Sequence, residues 1–221
     1  MLRIILAQCF GLPSAAIYPE DFGGNKALQE LTGRIAPTND GVVEFGDVPV
    51  RVAKTHGRPQ DGSKAIYIVR NGVDATASFH DHGRRQIPIE TLIRGRPGLP
   101  KWSDHIAWWS PRTRPHTLLL RYEDVVADIG RTVDLIADFI QVAPLTRSIP
   151  SRDELAAVDG KWVRSATAAG RTKLSSDQIA QFWELNGDAM VEYGYSRRPG
   201  DSPVSTPWWT ERHHTTAPPR R

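Results

Sequence analysis

Cysteine is nearly absent from this chain: Cys9 is the single one in 221 residues. One thiol cannot make an internal disulfide, which excludes a stapled secreted scaffold and fits a reducing compartment. Long apolar runs are missing too. No stretch approaches the roughly 18 residues that a membrane-spanning helix needs, so no membrane span is expected. A charge excess of one sign is also lacking from most of the chain. The last 26 residues, Ser196 to Arg221, carry five arginines against one Asp and one Glu, and the rest holds 23 charges of each sign. A balanced body gives no support to nucleic-acid binding. What is present is ordinary for a folded protein, with 39% hydrophobic and 24% charged residues.

The last segment also holds five of the 17 prolines and the pair Trp208-Trp209, without an apolar period. Residues 196–221 therefore read as a flexible Pro/Arg-rich tail on a body of residues 1–195. At the other end, Met1-Leu2-Arg3 and the apolar residues after it imitate a secretory signal, although Gln8 interrupts them. The competing reading is a helix. Leu2, Ile5, Leu6, Cys9 and Phe10 share one helical face, and Gly11 with Pro13 would end it.

Three short runs have strand character: Val48–Ala53, Ala65–Val69 and Thr117–Arg121. Helical periods cover Asp74–His82, Trp102–Trp109, Ile129–Ile140, Arg152–Val158 and Ser176–Tyr193. Alternation of this kind predicts an α/β domain with a mainly parallel sheet. Ligands of such sheets bind beyond the carboxyl ends of the strands. Lys54-Thr55-His56 follows the first run, and Arg70 with Asn71 to Ser78 follows the second; Arg121-Tyr122-Glu123-Asp124 closes the third. Lysine and histidine two apart could serve an anion and a proton transfer together. An arginine fork and a hydroxyl near a helix start suit phosphate. Each also has a plainer reading, as a solvated strand end, an Arg70–Asp74 pair or a surface serine.

In this order the segments resemble the cytosolic sulfotransferase family, which moves a sulfuryl group from 3′-phosphoadenylyl sulfate (PAPS) to an acceptor hydroxyl or amine. Lys54-Thr55-His56-Gly57-Arg58-Pro59 resembles the family's K-[ST]-H-x-P, with one extra residue before the proline. Tyr67 to Ser78 resembles Y-x-x-R-[ND]-x-x-D-x-x-x-S, and Trp102 to Trp108 is similar to W-x-x-H-x-x-x-W with the second tryptophan one place early, unless Trp109 takes that role. Tyr122-Glu123-Asp124 matches a Y-E-D that closes a later strand.

The resemblance implies a three-layer, P-loop-NTPase-like α/β fold and a PAPS cofactor that leaves as adenosine 3′,5′-bisphosphate. It implies His56 as general base and Lys54 against the leaving phosphate oxygen. Arg70 and Ser78 would hold the 3′-phosphate, Tyr122 would line the adenine, and Ser151 with Arg152 would cover the base. Ser151 before Asp153-Glu154 is equally a good helix N-cap, and Tyr122 is equally a core tyrosine. Arg164 remains to reach a phosphate, although Ala166 replaces the family's glycine and its tryptophan is missing. No metal is implied, and His80-Asp81-His82 is a poor metal site without a third ligand and a rigid frame. The resemblance further implies a small-molecule acceptor and a cytoplasmic location, leaves room for a homodimer, and favours the helix reading of the N-terminus.

One family feature has no counterpart. The strand and P-K-S-G-type loop that grip the 5′-phosphosulfate find no match, and Met1–Leu6 resembles the helix that follows them. The expectation is that the first strand and P-loop are missing and that the functional protein begins roughly 20 or more residues upstream. The alternative is a non-catalytic remnant that binds adenosine 3′,5′-bisphosphate or serves as an interaction module. A P-loop kinase relative fits less well, because Lys54, His56, Arg70 and Ser78 suit a 3′-phosphate better than ATP with magnesium.

Overall fold

Gly11 stops the first helix. Helix α1 (Leu2–Phe10) ends on this glycine at φ 63°, a left-handed conformation that only glycine adopts cheaply, and the Gly11 amide closes onto the Ala7 carbonyl. The computed structural model describes residues 1–16, 25–35, 38–39, 42–43, 45, 50–81, 86–158 and 174–197. These fall in two compact units, Met1–Gly57 with Glu123–Ser165, and Arg58–Tyr122 with Ala166–Arg221.

In the first unit α1 is followed by β1 (Ser14–Ala16), α2 (Lys26–Thr32), β2 (Gly33–Ile35), β3 (Thr38–Asn39), β4 (Val42–Val43) and β5 (Ala53–Lys54). Strand β1 is central, parallel to β2 on one side and to β5 on the other, while β3 and β4 form a separate antiparallel pair. The run Val48–Ala53 thus becomes a shorter strand displaced toward Lys54; Val48 and Pro49 lie outside the described residues. The register explains the shift. The ladder opens where the Ala15 amide donates to the Val52 carbonyl at 2.8 Å, because β1 itself starts only after Pro13, which has no N–H to give.

Helix α1 buries Ile4, Ile5, Leu6, Cys9 and Phe10, more than the single face its period outlines. Its carboxyl end is tied to residues 145–148: the Leu145 amide donates to the Cys9 carbonyl, and the Cys9 thiol to the Ser148 carbonyl. Burial pushes the Cys9 thiol pKa up. Arg3 reaches Ser14 through Nε at 2.6 Å, and Ser14 Oγ donates to the Thr32 carbonyl, so a buried polar chain joins α1, β1 and α2. Helix α7 (Ile129–Ile140) starts at Asp128, whose carboxylate accepts from the Arg131 amide, and buries Thr132, Val133 and Ile136 at helical spacing. The unit also holds most of α6 (Tyr122–Ala127) and α8 (Arg152–Val158).

The second unit carries β6 (Ala65–Val69), α3 (Gly72–Asp81), α4 (Ile89–Arg94), α5 (Trp102–Trp109), β7 (Thr117–Arg121) and α9 (Ser176–Glu192). Strands β6 and β7 pair in parallel from Ala65 with Thr117 to Val69 with Arg121. Val69 and Leu119 of these strands join Val73, Ala77, Ile93, Ile106, Phe182 and Met190 in one core cluster. Trp183 packs against its margin. Gly72 is needed for a close approach. A Cβ there would overlap the Phe182 ring and stand 2.9 Å from Trp102 Cδ2. Among the described residues no helix is long and apolar enough to cross a membrane.

Candidate functional site

The carboxyl ends of β6 and β7 are level, since Val69 pairs with Arg121. Each strand is followed by one residue of chemical interest, Arg70 after β6 and Tyr122 after β7. These two meet: the Arg70 guanidinium carbon stands 4.8 Å from the centre of the Tyr122 ring, within cation–π range. Among the described residues no ion pair joins Arg70 to Asp74, its plainer reading. Tyr122, half-buried, opens α6 rather than closing the strand.

The backbone around Arg70 is fixed from two directions. Trp102 donates its indole N–H to the Arg70 carbonyl at 3.2 Å. Asn71, buried, accepts from the amides of Val73 and Asp74 through Oδ1 and so caps α3. This cap starts α3 two residues before the period at Asp74 suggests. Ser78 consequently sits in the second turn, half-buried, rather than near the helix start. An asparagine before a helical run is a known start signal, and it was available in the sequence. The indole contact was not, because Trp102 is 32 residues away.

In the first unit Lys54 ends β5 and is half-buried, with His56 two residues on and exposed. Between them the Thr55 hydroxyl accepts from the Gly57 amide at 3.0 Å and rounds the chain into a turn. Lys54 therefore belongs to the strand's last position, where the sheet's carboxyl edge lies. Ser151 acts as the N-cap of α8. Its amide donates to Glu154 Oε2 at 2.7 Å and its Oγ accepts from the Glu154 amide at 3.3 Å, a reciprocal capping box. Hydrogen bonding of the carboxylate to the Ser151 hydroxyl, and then to the Ser151 amide, holds the Glu154 carboxyl below its ordinary pKa. Arg152 is exposed beside it. Arg164 and His82 lie outside the described residues, as do residues 198–221.

Around α5 the aromatic motif forms a cluster within the second unit. Tyr67 Oη and His105 Nδ1 share a hydrogen bond at 2.8 Å, and Tyr67 also faces Trp109 at 5.8 Å between ring centres. Burial pushes the Tyr67 phenol well above its ordinary value. Arg58 lies over Trp108 at 4.1 Å. The two adjacent tryptophans thus divide the work, Trp109 meeting the strand and Trp108 the segment after His56.

A family model described as the sulfotransferase domain matches residues 50–166. The chain belongs to this family. All eight candidate site residues, Lys54, His56, Arg70, Ser78, Tyr122, Ser151, Arg152 and Arg164, fall inside that span. Among curated relatives, sulfotransferase 1C2 of Rattus norvegicus is 28% identical over 124 residues, 47% of this chain and 42% of that protein. Cytosolic sulfotransferase 1 of Danio rerio is 27% identical over 108 residues, 43% of this chain and 35% of that protein. Sulfotransferase 1E1 of Homo sapiens is 27% identical over 113 residues, 42% of this chain and 38% of that protein. The matches span less than half the length of these relatives. A crystal structure of mouse sulfotransferase SULT7A1 complexed with PAP aligns with a TM-score of 0.47 at 20% identity, over 81% of this chain and 84% of that one.

Proposed function

We propose that this sulfotransferase-domain protein transfers a sulfuryl group from PAPS to the hydroxyl or amine of a small-molecule acceptor in the cytoplasm. The observation that carries the reading is Arg70. In a chain of this family it is a guanidinium set against an aromatic ring beyond the carboxyl end of a parallel strand, where an anionic ligand is expected. That arrangement fits the 3′-phosphate of the cofactor, and Ser78 supplies a hydroxyl from the same segment. When bound, PAPS provides the activated sulfuryl group.

The residues of the chain have separate tasks in this reading. His56, at an exposed position, removes the proton of the acceptor, since a neutral hydroxyl is a weak nucleophile and imidazole titrates near working pH. Lys54 offsets the negative charge that grows on the leaving phosphate oxygen. Arg152 is assigned to covering the base, and Arg164 to a phosphate. Ser151 keeps its helix-capping duty, its amide and hydroxyl both engaged by Glu154.

The test is transfer of labelled sulfuryl from PAPS to a panel of phenols, alcohols and amines by the full chain. Wild type should turn over at least one class. His56→Ala should lower turnover about 100-fold or more while leaving adenosine 3′,5′-bisphosphate affinity unchanged. No transfer to any class, or an unaffected His56→Ala variant, counts against the proposal.

A further inference from the structure

We propose that Arg58 is a positioning residue for His56, fastening the chain just beyond this candidate base to the carboxyl end of α5. The inference rests on the sulfotransferase reading above, and it joins two places where this chain departs from the motifs it resembles. Arg58 belongs to the pair Gly57-Arg58, which stands where K-[ST]-H-x-P has one residue, and Trp108 is the tryptophan that falls one place early. The two departures meet. The Arg58 guanidinium carbon lies 4.1 Å from the centre of the Trp108 ring. At that distance it stands over the face of the ring, because an approach from the edge would drive it inside the roughly 3.5 Å of carbon–carbon contact. Ring and cation attract there whatever the tilt of the guanidinium plane.

Residues 57–64 have need of such fastening. They include Gly57 and Gly62, form neither helix nor strand, and are exposed apart from the half-buried Pro59, the kind of connection that moves most. Their far end is held by Arg114, whose Nη2 donates to the carbonyls of Asp61 and Ser63 at 2.9 and 2.8 Å and whose Nη1 donates to Thr117 Oγ1 of β7 at 2.9 Å. Asp61 Oδ1 rounds the same end into a turn by accepting from the Ser63 amide at 2.9 Å. Arg58 holds the near end. His56 is then the middle of a short span, with Lys54 in the β5 ladder on one side and Arg58 on the other, bent by the Thr55 hydroxyl that accepts from the Gly57 amide. A span fixed at both ends has few conformations to lose, so the base is oriented before the acceptor arrives.

The experiment follows variants of the full chain by sulfuryl transfer from PAPS to the acceptor class that wild type turns over, and by amide nitrogen relaxation at His56. Arg58→Ala should lower kcat about 3-fold, lower the order parameter at His56, and leave adenosine 3′,5′-bisphosphate affinity and the thermal midpoint unchanged. Trp108→Leu should loosen His56 equally and add no further loss in an Arg58→Ala background. Arg58→Lys, which keeps a cation for the ring, should recover most of kcat. An order parameter unmoved by Arg58→Ala, additive losses in the double variant, or a loss confined to nucleotide affinity or to the thermal midpoint overturns the proposal. A wild-type chain that transfers sulfuryl to no phenol, alcohol or amine overturns the sulfotransferase reading instead. The fastening is then judged from relaxation alone: a looser His56 in both single variants supports it, and an unchanged one overturns it.

Discussion

Asn186 of α9 caps a helix to which it does not belong. Its Oδ1 accepts from the Ser103 amide at 3.0 Å, at the start of α5, while its Nδ2 donates to the Phe182 carbonyl at 3.1 Å. The side chain is buried, 2% exposed, so both contacts are made away from water. Replacing it by leucine of similar volume leaves the Ser103 amide without its acceptor. We expect Asn186→Leu to lower unfolding free energy by roughly 1–3 kcal/mol, read from urea denaturation. A loss under a few tenths would mean that water replaces the amide.

Gly72 is expected to be intolerant of even one methyl group. The Cβ of alanine would overlap Phe182, which is fully buried, and crowd Trp102. Gly72→Ala should destabilise by about 1–3 kcal/mol through overpacking, although alanine is the better helix former. Because Trp102 also holds the Arg70 carbonyl, the same variant should weaken adenosine 3′,5′-bisphosphate binding. Calorimetric titration beside thermal denaturation separates the two effects.

Ser151→Ala removes one half of the capping box and should lower stability by roughly 1 kcal/mol at neutral pH. The partner, Glu154, has its folded pKa depressed, so its contribution is present above the unfolded value of about 4.3 and fades as pH falls through the lower folded value. Glu154→Gln should therefore flatten that part of the acid stability profile. A profile identical to wild type would show that the carboxylate is not coupled to folding.

Tyr67 shares the alkaline limb with Tyr193, whose phenol burial also pushes up, to about 12. The folded pKa of Tyr67 lies above the unfolded value of about 10, so its contribution is complete below pH 10 and is lost as pH rises toward the folded value. Tyr67→Phe should make stability above pH 10 less dependent on pH, and should also remove the hydrogen bond to His105. Ultraviolet titration of the phenolates, with and without the substitution, separates the Tyr67 phenol from that of Tyr193, the other late-titrating group.

Much of the architecture follows from periodicity within short windows. Strands β6 and β7, and helices α5, α7 and α8, have the bounds that their apolar spacing outlines, because each is set by neighbours a few residues away. The motif residues were legible too, since Lys54, His56, Arg70, Ser78 and Tyr122 stand in fixed order around strand ends. Strand β1 was not. Ser14–Ala16 is too short and too small in side chain to signal a strand, and it exists because β2 and β5 supply hydrogen bonds on both edges.

Sequence by itself therefore determined the family, the parallel α/β pattern and the residue types available for anion binding and proton transfer. Tertiary structure alone decided what those residues face. Arg70 could have paired with Asp74 four positions on, which is the local choice; it meets the ring of Tyr122 instead, brought level by the parallel register of two strands whose paired residues stand 52 apart in numbering, Val69 pairing with its counterpart at 121. Local spacing can propose such a partner only within a turn or two of chain, whereas the contact that orients this arginine is set by how the strands align.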